Sequence, residues 1–186
     1  MISRARLTFA VLVGAAVLTA TSCWNPFDPD DGDPTPPPYY QNCDSAYKVI
    51  ANLQYAYLSR DLDKYMACFR DDFEFHLLAT DWADYSIPPD GVVDTYWGLD
   101  LEEQFHEAMF SAVNSIELTL WGGYDHPWAG DPTGITREMT RSFTLKVYTD
   151  GSGIHGYQAT GSAKFVIRPD STGQYYIWQW WDESET

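Results

Sequence analysis

Hydrophobic positions recur with a different rhythm in each part of the chain. Leu7 to Leu18 is apolar or small throughout, the length of a signal-peptide core and too short to cross a bilayer. Asn25 to Tyr39, NPFDPDDGDPTPPPY, has no rhythm at all. From Asp44 the spacing is helical: Ala46, Val49, Ile50, Leu53 and Tyr57 recur every three or four residues, with Asp44 as N-cap. Arg60-Asp61 interrupts, and Asp61 caps a second short helix carrying Leu62, Tyr65, Met66 and Phe69 on one side. Phe73 to Leu77 alternates like a strand, and residues 79–98 form an irregular stretch. A third helix over Asp100 to Val113 places Leu101, Phe105, Ala108, Met109 and Ala112 inward and leaves His106 beside that stripe, facing water.

Beyond this helix the rhythm is that of strands. Ser115 to Trp121 alternates, with Ile116, Leu118 and Leu120 on one face. After a Gly/Pro-rich loop over 122–134 come Thr136–Tyr148, Ile154–Arg168 and Gln174–Asp182, separated by the turn signals DGSG and PDSTG. Long strands joined by tight turns make an antiparallel meander. Its apolar face requires a cover, and the helices supply one. The expected class is α+β, with N-terminal helices packed on an antiparallel sheet.

The first segment carries Arg4 and Arg6 ahead of its apolar run and ends in Thr19-Ala20-Thr21-Ser22-Cys23. This resembles a bacterial lipobox, which implies cleavage after residue 22 and a diacylated Cys23; the alternative is an ordinary secretory signal. Acyl chains anchor by burying methylenes, at about 0.8 kcal/mol each. Trp24 stands where an Asp would signal inner-membrane retention, so an exported, outer-membrane location is favoured. Residues 23–43 then read as a lipidated, disordered tether, its Pro36-Pro37-Pro38 run a stiff spacer. Asp28, Asp30, Asp31 and Asp33 around Gly32 miss the calcium-loop spacing. The folded domain is expected over residues 44–186.

Composition adds a limit on partners. Formal charge is −16. Removing residues 1–22 takes away Arg4 and Arg6 and no acid, leaving 9 basic against 27 acidic residues. Such a surface repels phosphate backbones, so no nucleic-acid partner is expected. Electrostatic attachment to anionic lipid is excluded likewise. The membrane is reached through the lipid. Eight Trp, thirteen Tyr and nine Phe supply a sizeable core.

Two helices ending in CFRDDFEF, a third helix after an insert, and a meander closing with IWQWWDE together resemble the nuclear transport factor 2-like superfamily, with its SnoaL-like and steroid-isomerase-like members. The resemblance spans about residues 44–184 and rests on element order. It implies a strongly curved, cone-shaped sheet whose open end admits a ligand. Enzymes of the superfamily place acids, His or Tyr in that cone, but no motif here carries such a set across residue by residue.

Strand parity and apolar neighbours select Tyr57, Arg141, Tyr157, Gln179 and Trp181 as the ligand-binding lining. Arg141 shares a face with Phe143, Leu145 and Val147; the alternative is an edge Arg reaching water. Gln179 lies between Ile177 and Trp181 on one face. Glu74 and His76 share a strand face as an acid–base pair or a solvated edge. Asp125, His126 and Asp131 lack metal-ligand spacing, and no metal or cofactor is expected. Cys43 and Cys68 are either bridged or, for Cys68, a buried small hydrophobe. Wide aromatics on both faces of the last strand offer a surface for a homodimer. The leading expectation is a noncatalytic domain binding a small apolar or aromatic ligand or a protein partner. The rival is an isomerase or dehydratase using an acid–base pair in the cone.

Lipidation has a direct test. Detergent partitioning of the full chain should be lost in Cys23→Ala, which is recovered in soluble form; a mature N-terminus other than Cys23 overturns it.

Overall fold

A computed structural model describes residues 36–79, 94–153 and 155–183 of the protein. Cys23, the Asp28–Asp33 cluster, the N-terminal apolar run and most of the irregular stretch lie outside these residues. Helix α1 spans Ala46–Ser59, α2 Leu62–Met66 and α3 Leu99–Ala112. The strands are β1 (Glu74–His76), β2 (Tyr96–Gly98), β3 (Ser115–Trp121), β4 (Asp125–Pro127), β5 (Arg137–Tyr148), β6 (Gly156–Pro169) and β7 (Tyr175–Asp182).

Local chemistry sets the helix ends. Ser45, not Asp44, occupies the N-cap of α1; Asp44 instead pairs with Lys48 one turn on, at 2.8 Å. At the other end Arg60 adopts the left-handed conformation (φ 52°). The αL residue turns the chain so that the amides of Arg60 and Asp61 reach the Tyr57 and Ala56 carbonyls. Asp61 then caps α2 by accepting from the Lys64 amide at 3.1 Å.

The sheet runs β2-β1-β7-β6-β5-β3, with β4 attached to β5, and it does not close. β5, β6 and β7 form the expected meander. β1 lies parallel to β7 and antiparallel to β2, so the sheet is mixed. β2 and β4 fall in segments with too few residues for alternation to register. The packed chain extends upstream of Asp44. Tyr40 exchanges hydrogen bonds with Asn52, at 2.7 and 2.8 Å, and the Tyr175 amide donates to the Cys43 carbonyl at 2.7 Å. With these bonds, the Tyr39 ring 5.5 Å from Tyr55 and the Tyr40 ring under Lys48 dock the end of the Pro-rich segment.

The core lies between the sheet's inner face and the helices. Val49, Leu53, Ala56 and Tyr57 of α1 meet Tyr65, Phe69 and Phe73, and Met139, Phe165, Ile167 and Ile177 complete it from the sheet.

Two inward faces differ from expectation. In α3 the side turned to the core carries Glu102, His106, Met109 and Phe110, while Phe105, Ala108 and Ala112 face solvent. The polar pair at i, i+4 occupies inward positions, so apolar periodicity alone sets the helix about one residue out of phase. In β7, Ile167 pairs with Ile177 but Val166 pairs with Gln179, leaving Trp178 bulged. A bulge reverses the alternation beyond it: Ile177 and Trp180 point inward, and Gln179 and Trp181 outward.

Phe165 packs on Trp180 with ring centroids 4.9 Å apart. Phe165→Ala should cost about 3–5 kcal/mol, read as a lower urea midpoint; a loss under 1 kcal/mol contradicts this account of the core.

Candidate functional site

A cavity of about 250 Å³ lies between the helices and the inner face of the sheet. Its walls are mostly hydrocarbon: Leu53 from α1, Leu118 and Leu120 from β3, Phe143 and Leu145 from β5, Ala159, Ala163 and Phe165 from β6. Phe75, Trp97 and Trp180 add an aromatic side. Phe75 and Trp97 stack at 4.3 Å and 7°. Small residues at 159 and 163 leave the space that larger side chains would fill.

One wall is polar. Glu102 is 1% exposed, and His106 only 12% by side chain. The Glu102 carboxyl group accepts from Trp97 Nε1 at 2.6 Å and from the Tyr65 hydroxyl. His106 Nδ1 lies 3.2 Å from Glu102 Oε1 and 3.0 Å from the Glu102 backbone carbonyl. Both neighbours are acceptors, which assigns the proton of the neutral ring to Nδ1. His106 Nε2 therefore accepts from the Tyr57 hydroxyl, 2.7 Å away. Tyr65 stacks on the imidazole at 3.9 Å. The result is a hydroxyl–imidazole–carboxyl chain, Tyr57–His106–Glu102, whose three members all line the cavity.

Burial shifts the ionisation of the phenols and the imidazole. It pushes both phenols, Tyr57 and Tyr65, far above their ordinary range, and Glu102 adds to the effect. Burial also lowers the His106 imidazole, with Glu102 opposing. Asp182 is the remaining ionisable lining residue.

Of the five residues expected to line the cone, Tyr57 does so and the other four do not. Arg141 lies on the expected strand face, but its guanidinium donates to the carbonyls of Tyr124 and Thr140. Tyr157 is 75% exposed, past the end of the cavity. Gln179 donates to Glu74 at 2.7 Å on the outer face, and Trp181 stacks there on His76 at 4.3 Å. The bulge at Trp178 is the reason for the last two. Glu74 and His76 do pair, at 3.1 Å, away from the cavity. Asp125 binds Arg137, and Asp131 caps its own turn through Thr133 and Thr136. Among the described residues no three His, Cys, Asp or Glu side chains gather as metal ligands. Glu102 and His106 escaped hydrophobic periodicity; their i, i+4 spacing on one helix was the available signal.

Neither a protein-family model nor a curated protein sequence matches the chain. Solved structures do. A protein provisionally classed as an aromatic ring hydroxylase, from Novosphingobium aromaticivorans, superposes with TM-score 0.56 at 14% identity, over 75% of this chain and 86% of that one. A protein provisionally classed as a scytalone dehydratase from the same organism gives 0.55 at 11%, over 75% and 81%. A nuclear transport factor 2-like superfamily protein from Salmonella enterica gives 0.54 at 12%, over 75% and 87%. The fold is nuclear transport factor 2-like. At these identities the likeness extends to the fold, which accommodates both ligand binding and catalysis.

The lowered His106 value has a pH signature. Folding stability gained by keeping the ring neutral is present above about pH 6.5. It is lost as pH falls from there through the depressed folded value. The slope of stability against pH below 6.5 should therefore flatten in His106→Gln; an unchanged slope contradicts the assignment.

Proposed function

We propose that this domain, carried outside the cytoplasm on a lipidated Cys23, binds a small flat apolar ligand bearing one hydrogen-bonding group. The observation behind this reading is the polarity of the cavity. Hydrocarbon and aromatic walls bury a ring system, and the buried Tyr57–His106–Glu102 wall orients its polar group. With its proton given to Nε2, the Tyr57 oxygen presents lone pairs to a ligand O–H. The provisional name of one structural neighbour, an aromatic ring hydroxylase, makes ring compounds the first candidates.

A bicyclic phenol such as 2-naphthol is a suitable probe. It should quench tryptophan fluorescence through Trp97 and Trp180. Ala159→Phe fills exposed space in the lining and should abolish the quenching without lowering the thermal midpoint. Equal quenching in both proteins overturns the proposal, as does none in either.

The same wall supports a second reading, acid–base catalysis. As a ligand proton reaches the Tyr57 oxygen, the Tyr57 proton passes to His106 Nε2, and Glu102 stabilises the resulting imidazolium. Exchange of the acidic C–H protons of 2-tetralone in deuterium oxide, followed by NMR, isolates this step. Acceleration of about 100-fold or more over buffer, lost in His106→Gln, supports it. Exchange at the buffer rate leaves binding as the function.

A further inference from the structure

We propose that Cys43 and Cys68 join in an intramolecular disulfide that pins the arm before α1 to the end of α2. Both are free thiols in the structure. The edge of β7 brings them together. The Tyr175 amide donates to the Cys43 carbonyl at 2.7 Å, and the Ile177 amide to the Cys68 carbonyl at 2.9 Å. Alternate amides on one strand edge lie about 6.8 Å apart, so the two cysteine carbonyls are held side by side at about that spacing, comparable to the upper end of the roughly 4.4–6.8 Å between Cα atoms that a disulfide spans. Their side chains share surroundings: Cys68 belongs to the buried core, and Cys43 packs against it. Asn52, itself 3% exposed, donates to Cys43 Sγ at 3.1 Å.

The chemistry needs a disulfide oxidant, of the kind an exported chain meets. The Cys43 thiolate attacks one sulfur of a small-molecule disulfide and expels one thiolate. The Cys68 thiolate then attacks Cys43 Sγ, forming the protein disulfide and expelling the second. Two protein thiols lose two protons and two electrons, and the oxidant leaves as two thiols. Burial raises both cysteines above the ordinary thiol range, which disfavours the attacking thiolate once the core has closed. Bond formation therefore belongs to folding. Neither cysteine lines the cavity, so this inference stands apart from the proposed ligand.

The test uses the full chain with Cys23→Ser, removing the third thiol. The reduced, unfolded protein is refolded in a glutathione redox buffer, or in reductant as control, then denatured and treated with a maleimide. The redox-buffered protein should show no labelled thiol and a mass lower by two hydrogens. Trypsin should then release the peptide ending at Lys48 joined to Tyr65–Arg70. Its thermal midpoint should exceed that of the control by several degrees, a difference absent in Cys43→Ser/Cys68→Ala. Two labelled thiols, a retained glutathione adduct, or a bond only between two molecules overturns the proposal.

Discussion

The buried carboxyl group of Glu102 is the constraint on which the arrangement of the helices depends. A polar group removed from water without partners costs about 1–3 kcal/mol, and more when charged. Its partners come from Trp97 in β2, Tyr65 in α2 and His106 in α3. Through His106 the network reaches Tyr57 in α1. One side chain thereby fixes the rotation of α3, the placement of α2 and the closeness of β2, which apolar packing alone leaves less specified.

The same network divides the cavity. Apart from Glu102 and His106, only Tyr57 and Asp182 put ionisable groups on an otherwise largely hydrocarbon and aromatic lining. With Glu102 and His106, the cavity has a wall of fixed hydrogen-bond direction opposite small residues on β6. Stacking by Tyr65 and donation by Tyr57 restrict the imidazole to one orientation. This is the preorganisation that a binding or acid–base site requires. Satisfaction of the network and the polarity of the cavity wall share one geometry here, because the last hydroxyl in the chain, Tyr57, is also a lining residue.

The outer face follows a different logic. Beyond the bulge, Gln179 and Trp181 join Glu74, His76 and Lys164 in a half-buried aromatic and ion-paired layer. Lys164 lies over the Trp181 ring at 4.5 Å. Cation–π and stacking contacts of this kind tolerate partial exposure. They allow wide aromatic rings outside the core without a continuous apolar patch.

By itself the sequence determined the α+β class, the order of the three helices and the long strands, the bounds of those strands within about two residues, and the resemblance that the superpositions bear out at the level of fold. Those features depend on periodicity, turn residues and capping, which are local. β2, β4 and the parallel pairing of β1 with β7 were not legible in it. Tyr57 was legible because it sits on an apolar helical stripe. Tertiary structure alone decided the phase of α3 and the inward face of β7. Glu102 and His106 turn inward only because Tyr57, Tyr65 and Trp97 arrive from elsewhere to satisfy them. Trp178 bulges only in pairing with β6. Hydropathy assigns polar residues to water, and parity assumes an unbroken ladder. Both assumptions are settled by long-range partners, so the polar wall of the cavity appears only when the chain is folded.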